Sequence, residues 1–143
     1  MNNTIQYLLS HNVKPSAQRI AIMKYLLEHR AHPTVDRIYT ELLPAMPTLS
    51  RTTVYNTLRV LAENNALQSL TIDEKSVHYD GHVTPHAHFV CRECGEIFDM
   101  PLPDGVLADV PGMDTFKIEA VKLYYKGVCC KCQANINQAK KTN

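Results

Sequence analysis

Two cysteine pairs, Cys91-Arg92-Glu93-Cys94 and Cys129-Cys130-Lys131-Cys132, decide the fold of the second half of this 143-residue chain. In each pair two residues separate the outer thiols, and this spacing in a tight turn lets both sulfurs bind one tetrahedral ion at about 2.3 Å. Together the pairs supply four ligands and close the site, so that it stabilises structure and offers no open position for chemistry. The spacing predicts a structural zinc site, with Cys130 as a fifth thiol beside it.

Disulfides and a redox-active CxxC motif are the alternatives for these cysteines. Residues 1–12 lack the basic and apolar runs of a signal peptide, so we expect a cytoplasmic, reducing location, where paired CxxC motifs favour metal over disulfides. A thioredoxin-like motif would follow a strand in a βαβ pattern, and neither pair has that context. No stretch of the sequence is long and apolar enough to cross a membrane without charges, so we expect no membrane partner.

The distribution of charge favours the first half of the chain as the part that would bind a polyanion. The whole chain has a net charge of +1, which by itself does not indicate nucleic acid. Residues 1–64 carry seven basic and four acidic side chains, whereas the remainder carries eight basic and ten acidic ones. A DNA partner, if there is one, is therefore expected to bind the N-terminal half.

The first half reads as three helices followed by a β-hairpin. Ser16, Thr34 and Ser50 are suitable N-cap residues, and each precedes apolar residues at helical spacing. Segments 67–72 and 77–80 are strand-prone and flank a polar turn, which is the pattern of a hairpin. This order predicts a winged helix-turn-helix, with the hairpin as the wing.

The third predicted helix has an apolar face and a face of small polar, aromatic and arginine side chains. Such a face suits a recognition helix in a DNA major groove, although an ordinary solvated helix face has much the same composition. The residues on this face are Arg51, Thr52, Tyr55, Asn56 and Arg59.

The second half reads as a small α+β domain, so that the fold class of the whole chain is α+β. Strand-prone segments occur at 89–90, 97–98 and 116–125, and residues 105–110 could form a short helix between strands. We expect a winged-helix DNA-binding domain over residues 1–81, a hinge over 82–86, and a dimerisation and metal-binding domain over 87–143.

A second set of possible metal ligands begins at His86-Ala87-His88. Residues i and i+2 of a strand point to the same side, so both imidazoles can reach one ion. A mixed set of imidazoles and carboxylates would suit Fe²⁺, Mn²⁺ or Zn²⁺. Taken singly, the remaining candidates are more often capping, turn or surface residues; they are His32, Asp80 and Asp99.

These motifs together resemble those of the Fur family of metal-dependent bacterial transcriptional repressors, and most of all its peroxide-sensing PerR branch. The resemblance runs nearly from end to end. It is carried by VKPSAQR (13–19), AHPT (31–34), SRTTVYNTLR (50–59) and HAHFVCRECG (86–95), together with the second cysteine pair.

The resemblance implies a homodimer that binds palindromic double-stranded DNA operators through its winged helices. It makes Cys91, Cys94, Cys129 and Cys132 the zinc ligands. It makes His32, Asp80, His86, His88 and Asp99 the ligands of a regulatory Fe²⁺ or Mn²⁺. Peroxide reacting at Fe²⁺ would oxidise His32 or His86. The DNA-binding residues would be Lys14, Arg19, Arg51, Thr52, Thr53, Tyr55, Asn56 and Arg59.

An ion bound by this regulatory set would join the predicted domains. His32 belongs to the DNA-binding domain, Asp80 lies at its end, and the other three ligands belong to or border the second domain. Metal binding would then favour a DNA-competent form of the dimer, because the ion binds that form more tightly. Loss of one ligand to oxidation would end the connection that the ion makes between the two domains.

Departures from the family pattern leave other functions open. Pro85 and Ala87 stand where many Fur proteins have histidine and aspartate, so we expect no accessory metal site. Asn56 replaces the usual arginine after Tyr55, which leaves the operator sequence open, and Cys130 could respond to oxidants itself. The alternatives are an iron-, manganese- or zinc-responsive repressor, a thiol- or haem-based redox sensor, and a metal buffer or interaction protein that does not bind DNA. We expect no enzyme, since the sequence has no nucleophile–base pair, HExxH motif or phosphate loop.

Overall fold

The computed structural model describes residues 2–73, 76–106, 112, 114–118 and 121–141. The chain divides into two compact units, an N-terminal unit of residues 1–84 and a C-terminal unit of residues 85–143. In the described parts of both units, no helix has the length and apolar character needed to cross a membrane. The assignment of DNA binding to the first unit and dimerisation to the second stays a prediction.

The N-terminal unit consists of helices followed by an antiparallel hairpin, which is the predicted winged helix-turn-helix with one further helix in front. Its elements are α1 (Asn2–Ser10), α2 (Ala17–Glu28), α3 (Val35–Leu42), α4 (Arg51–Glu63), β1 (Gln68–Asp73) and β2 (Ser76–Asp80).

Local sequence sets where three of these helices begin. The hydroxyls of Ser16, Thr34 and Ser50 accept hydrogen bonds from backbone N–H groups three residues further on, at 3.2, 3.3 and 3.1 Å. Each bond satisfies an N–H group that has no partner within its helix. The three predicted N-caps are therefore confirmed.

Helix α1 is absent from the sequence prediction, and tertiary contacts explain why it forms. Leu8 is fully buried in the core of the N-terminal unit, and Thr4 is buried as well. The hydroxyl of Tyr7 donates a 2.6 Å hydrogen bond to the carbonyl of Ala66, just beyond α4. Most of the stability of a short helix comes from such packing and little from its own propensity.

The C-terminal unit contains a three-stranded sheet and a helix. Its elements are β3 (Ala87–Cys91), β4 (Ile97–Met100), β5 (Tyr124–Gly127) and α5 (Cys130–Lys141). The sheet order is β4-β3-β5, with β4 antiparallel and β5 parallel to the central strand β3. The α+β fold class is confirmed.

Two sequence predictions in this unit need correction. The strand expected over 116–125 begins only at Tyr124, because residues 116–118 and 121–123 form no strand. Helix α5 was not predicted, since its apolar residues are few. Of the helix expected over 105–110, Gly105 and Val106 lie in a turn and residues 107–110 are outside the described part.

Little hydrophobic core holds the C-terminal unit together. Among its described residues, the buried apolar side chains are Ala87, Cys91 and Ile97, whereas the N-terminal unit buries a cluster drawn from all its helices. A unit this small rarely stabilises itself by apolar burial alone and usually needs a metal or a disulfide. The cysteines of this unit are therefore the candidates for additional stabilisation.

Candidate metal centres and nucleic-acid interface

The four predicted zinc ligands converge at one end of the C-terminal sheet. Cys91 is the last residue of β3, Cys129 directly precedes α5, and Cys132 lies in the first turn of that helix. The end of the strand and the start of the helix therefore bring the two pairs together. Their Sγ atoms all lie within 4.8 Å of one another, and those of Cys94 and Cys129 are 3.9 Å apart. Four sulfurs bound tetrahedrally at 2.3 Å are about 3.8 Å apart, so the cluster fits a zinc ion.

Backbone geometry shapes the first cysteine pair into a ligand turn. The N–H of Gly95 donates to the Cys91 carbonyl at 2.8 Å, and Gly95 has φ of +76°, a conformation that glycine adopts without strain. The N–H groups of Cys94 and Cys129 point to the Cys91 sulfur at 3.5 and 3.3 Å. Donors directed at a sulfur stabilise its thiolate, which is the form that binds metal.

The thiols of the cluster differ strongly in acidity. The backbone N–H groups of Cys129 and Cys94 lower the pKa of the Cys91 thiol to about 6. Hydrogen bonding with the Cys129 thiol, together with desolvation, raises the pKa of the Cys132 thiol to about 12. Four thiols this close cannot all ionise unaided, because each anion opposes the next, and a divalent cation removes that penalty.

Cys130 stands apart from this cluster. It is exposed on the first turn of α5, next to Cys129, and it does not belong to the group of converging sulfurs. This placement agrees with the prediction from the cysteine spacing, in which Cys130 is not a ligand.

Within the N-terminal unit, the structure brings together two of the predicted regulatory ligands. His32 and Asp80 are 2% and 3% exposed, and Nε2 of His32 lies 3.5 Å from Oδ2 of Asp80. The other carboxylate oxygen, Oδ1, accepts a 2.8 Å hydrogen bond from the His82 backbone N–H, which fixes the carboxylate. Ligand atoms 2.1 Å from one ion are roughly 3.0–3.4 Å apart, so this pair can share an ion.

Strand β2 holds the loop that carries His32. The Nδ1 atom of His78 donates to the His32 carbonyl at 2.7 Å, and the Tyr79 N–H donates to the Pro33 carbonyl at 2.9 Å. His32 has φ of +52°, a conformation that costs free energy for a residue other than glycine and persists where the surroundings impose it. The wing strand thus fixes both the loop and Asp80 at its own end.

Gly81 allows the chain to pass close to α2 directly after Asp80. A Cβ at this position would lie 3.0 Å from the Leu26 carbonyl oxygen. A side chain at this position would need a shift of a few tenths of an ångström between the backbone beside Asp80 and α2.

Within the C-terminal unit, the other three predicted regulatory ligands also converge. His88 on β3 pairs directly with Asp99 on β4, and His86 lies two residues before His88 on the same side. The two Nε2 atoms are 3.1 and 3.5 Å from the same Oδ1 atom of Asp99, and the imidazole centroids are 4.4 Å apart. Each unit therefore presents a set of nitrogen and oxygen donors, the kind that suits Fe²⁺, Mn²⁺ and Zn²⁺.

The predicted DNA-binding residues lie mostly on the solvent side of α4. Val54 and Leu58 point into the core, whereas Arg51, Thr52, Tyr55, Asn56 and Arg59 are exposed. Thr53 is half-buried, and its N–H and hydroxyl both contact the Ser50 hydroxyl, so it contributes to the cap of the helix.

Two further predicted DNA-binding residues lie before and at the start of α2. Lys14 is exposed, and the Nη1 atom of Arg19 donates a 2.9 Å hydrogen bond to the Lys14 carbonyl. Arg19 therefore holds the Lys14 loop in addition to any contact that it makes with DNA.

The sequence analysis missed the residues that position the candidate ligands and Arg51. These are His78, Gly81 and the His82 N–H around the first ligand pair, and Asp36 and Tyr39 beside Arg51. Their partners are far away in sequence or are backbone atoms, so no spacing pattern marks them. The one available signal was Gly81, which follows a candidate ligand directly.

The two units define a winged-helix protein with clustered metal-ligand side chains. The ferric uptake regulator family model matches residues 10–126. The chain belongs to this family of metal-responsive regulators, and it is similar to the peroxide-responsive repressor PerR of Staphylococcus epidermidis, with 33% identity over 139 residues that cover 96% of this chain and 93% of that protein.

Solved structures agree with this assignment. The Campylobacter jejuni peroxide stress regulator matches 87% of this chain and 92% of its own, with 25% identity and a TM-score of 0.67. The Helicobacter pylori ferric uptake regulator Fur matches 92% of this chain and 90% of its own with a TM-score of 0.68; its 18% identity supports the shared fold alone.

Proposed function

We propose that this chain is a cytoplasmic, homodimeric repressor that binds palindromic DNA in a metal-dependent way and senses peroxide through oxidation of His32 or His86. The observation that carries the proposal is the pairing of each histidine set with an aspartate, His32 with Asp80 and His86 and His88 with Asp99. The similarity to PerR of Staphylococcus epidermidis supports the same reading.

We propose that one regulatory ion takes all five of these side chains as ligands. The N-terminal pair offers two donors and the C-terminal set offers three, and neither alone fills the coordination sphere of Fe²⁺ or Mn²⁺, for which nitrogen and carboxylate oxygen donors are suitable. Binding by both sets would restrict the linker between the units and stabilise the form that binds DNA. The four-cysteine cluster, by contrast, would hold zinc permanently.

Bound Fe²⁺ would supply the one-electron chemistry that cleaves the O–O bond of peroxide, whereas the two electrons that reduce the peroxide would come, overall, from the histidine ring. Each peroxide consumed would add one oxygen atom to a histidine ring carbon and release one water. The imidazoles of His32, His86 and His88 each lie within 3.5 Å of a carboxylate oxygen in their own ligand set. The choice of His32 and His86 as the oxidised residues comes from the resemblance to the PerR branch. An oxidised ring is a poorer ligand, and its loss would lower metal affinity and release DNA.

The surface of each unit supports its proposed partner. The N-terminal unit exposes Tyr55 and the arginines of α4, and the C-terminal unit exposes large apolar side chains that a second copy of the chain would cover. These apolar residues are Met100, Phe116, Ile118, Val121 and Tyr125.

Peroxide treatment of the metal-loaded protein tests the proposed signal. We expect zinc-replete protein loaded anaerobically with Fe²⁺ to gain one oxygen on His32 or His86 after addition of equimolar peroxide. Protein loaded with Mn²⁺ should gain none, because Mn²⁺ does not give up an electron to peroxide as Fe²⁺ does. Peptide mass spectrometry locates the added oxygen, and His11 and His29 are the internal controls.

Unmodified histidines with both metals would contradict peroxide sensing at this site. The chain would then be an iron-, manganese- or zinc-responsive repressor of the same family. Oxidation at Cys130 alone would instead indicate a thiol-based response.

Substitution of His78 tests whether the wing strand positions His32. We expect His78→Phe to weaken Mn²⁺ binding about tenfold, as loss of a hydrogen bond behind a metal ligand typically does. Competition with a chelating dye measures the affinity. Val77→Ala, at the exposed neighbouring position on β2, is the matched control and should leave Mn²⁺ affinity unchanged. Equal affinities for His78→Phe and Val77→Ala would show that the bond to His32 is dispensable.

A further inference from the structure

Arg51, the first residue of α4, is held by two side chains of the preceding helix. Its Nε atom lies 2.8 Å from Oδ1 of Asp36, and its Cζ atom lies 4.7 Å from the centroid of the Tyr39 ring. Asp36 and Tyr39 are three residues apart on α3 and therefore lie on one face of that helix. The guanidinium is thus fixed at one edge by a charge and on one face by a ring.

This arrangement contributes little to stability. The side chains of Arg51 and Asp36 are 64% and 77% exposed, and ion pairs in such positions are screened by water and salt. Its main physical effect is on orientation, because a long arginine side chain otherwise samples many rotamers.

Within the part of the chain that the structure describes, these contacts leave the distal edge of the guanidinium available. Arginine has five N–H donors, and the ion pair with Asp36 uses the one on Nε, so the four on Nη1 and Nη2 can donate to a ligand. Two parallel donors at fixed spacing match the O6 and N7 atoms of guanine in the major groove. Residues at the N-terminus of a recognition helix are those that contact base edges in helix-turn-helix proteins.

We propose that Asp36 and Tyr39 are positioning residues that orient Arg51 for bidentate recognition of a guanine in the operator. The proposal rests on the proposed function, namely that the chain binds DNA through α4. It extends that function by assigning one base contact, with its chemical class, to the start of this helix.

Electrostatics and positioning predict opposite effects when Asp36 is removed. Asp36→Ala makes the DNA-facing unit more positive by one charge, and charge alone would strengthen binding to every duplex. If Asp36 positions Arg51, the same change frees the guanidinium and weakens binding to the duplex that carries the guanine. The sign of the change in affinity therefore separates the two effects.

The test begins with a duplex enriched from a randomised DNA library by the Mn²⁺-loaded wild-type protein. We measure the Kd of each variant for this selected duplex and for a scrambled duplex of the same composition by fluorescence anisotropy at one salt concentration. For Asp36→Ala we expect about fivefold or greater loss of affinity for the selected duplex, a substantial part of what a bidentate base contact contributes. Affinity for the scrambled duplex should be unchanged or higher.

Matched variants separate positioning from general effects. Tyr39→Phe retains the ring and should bind like the wild type, whereas Tyr39→Leu should lose affinity for the selected duplex. Arg51→Lys retains the positive charge but not the planar pair of donors, and it should also lose affinity for the selected duplex. In an Arg51→Ala background, Asp36→Ala should cause no further loss of affinity for the selected duplex, because the guanidinium that Asp36 positions is absent. Glu28→Ala, which removes an exposed acid paired with Lys24 on α2, reports the effect of charge alone.

Tighter binding of Asp36→Ala to the selected duplex, of the size seen for Glu28→Ala, would overturn the proposal. Equal losses on the selected and scrambled duplexes would overturn it as well, since they would indicate a phosphate contact. Failure of the wild type to enrich any duplex would instead refute the proposed function. Circular dichroism of each variant verifies that α3 and α4 remain folded.

Discussion

Replacing Cys91 with serine should abolish zinc retention and unfold the C-terminal unit. Cys91 is fully buried, and its sulfur accepts two backbone N–H groups within the four-thiol cluster. Structural zinc contributes on the order of 10 kcal/mol to the folding of small domains. The described apolar core of this unit is too small to replace that contribution.

Zinc content by mass spectrometry and thermal unfolding by circular dichroism measure this effect. We expect the wild type to retain one zinc per chain through dialysis and Cys91→Ser to retain none, with loss of the thermal transition of the C-terminal unit. Cys130→Ser is the matched control, because Cys130 is adjacent to the cluster but not part of it. Retention of a full zinc by Cys91→Ser would show that the cluster is not the zinc site.

Replacing His32 with alanine should abolish the response to the regulatory metal while leaving zinc in place. His32 is buried against Asp80, and β2 holds its backbone at a positive φ that costs free energy for a residue other than glycine. Loss of a direct ligand should weaken Mn²⁺ binding by about 100-fold or more, the upper end of what losing a supporting residue costs. Metal-dependent binding to the selected duplex should disappear with it.

Mn²⁺ titration and DNA binding with and without Mn²⁺ measure this prediction. Asp80→Asn should behave in the same way, because it removes the charge that balances the cation but retains the shape of the side chain. His11→Ala removes a histidine from the same unit that is not a proposed ligand and should leave both properties unchanged. Wild-type Mn²⁺ affinity in His32→Ala would contradict the proposed ligand set.

Much of the fold was predictable because its signals are local. An N-cap hydroxyl contacts an N–H group three residues away, so Ser16, Thr34 and Ser50 indicate in the sequence where their helices begin. Alternation in an extended chain likewise predicts that His86, just before β3, and His88, within it, lie on one side. The CxxC spacing is local in the same sense, because it brings together the two sulfurs of each pair. The two pairs meet only because β5 lies beside β3 in the sheet.

Elements with weak local signals were missed. Helix α1 depends on burial of Thr4 and Leu8 against the rest of the N-terminal unit and on the bond from Tyr7 to Ala66. Helix α5 follows Cys129, and most of its residues are polar, so the sequence shows no apolar stripe that would indicate a helix. The strand expected over 116–125 was overextended, because strand-prone residues form a strand only where a partner strand is in register, and β3 pairs with residues 124–127.

Residue types and their local spacing were enough to predict which classes of side chain form the candidate metal centres and the proposed DNA-binding face. Residue type and spacing fix the chemistry of a thiol cluster, of a histidine pair and of a polar helix face, since these depend on neighbours within a few positions. Which residues support these groups depends on how distant segments pack. The contact of Asp36 and Tyr39 with Arg51 and the contact of His78 with His32 join positions 12 to 46 residues apart. Such contacts exist only after the helices and the wing have packed, because packing alone sets distances between segments that are remote along the chain.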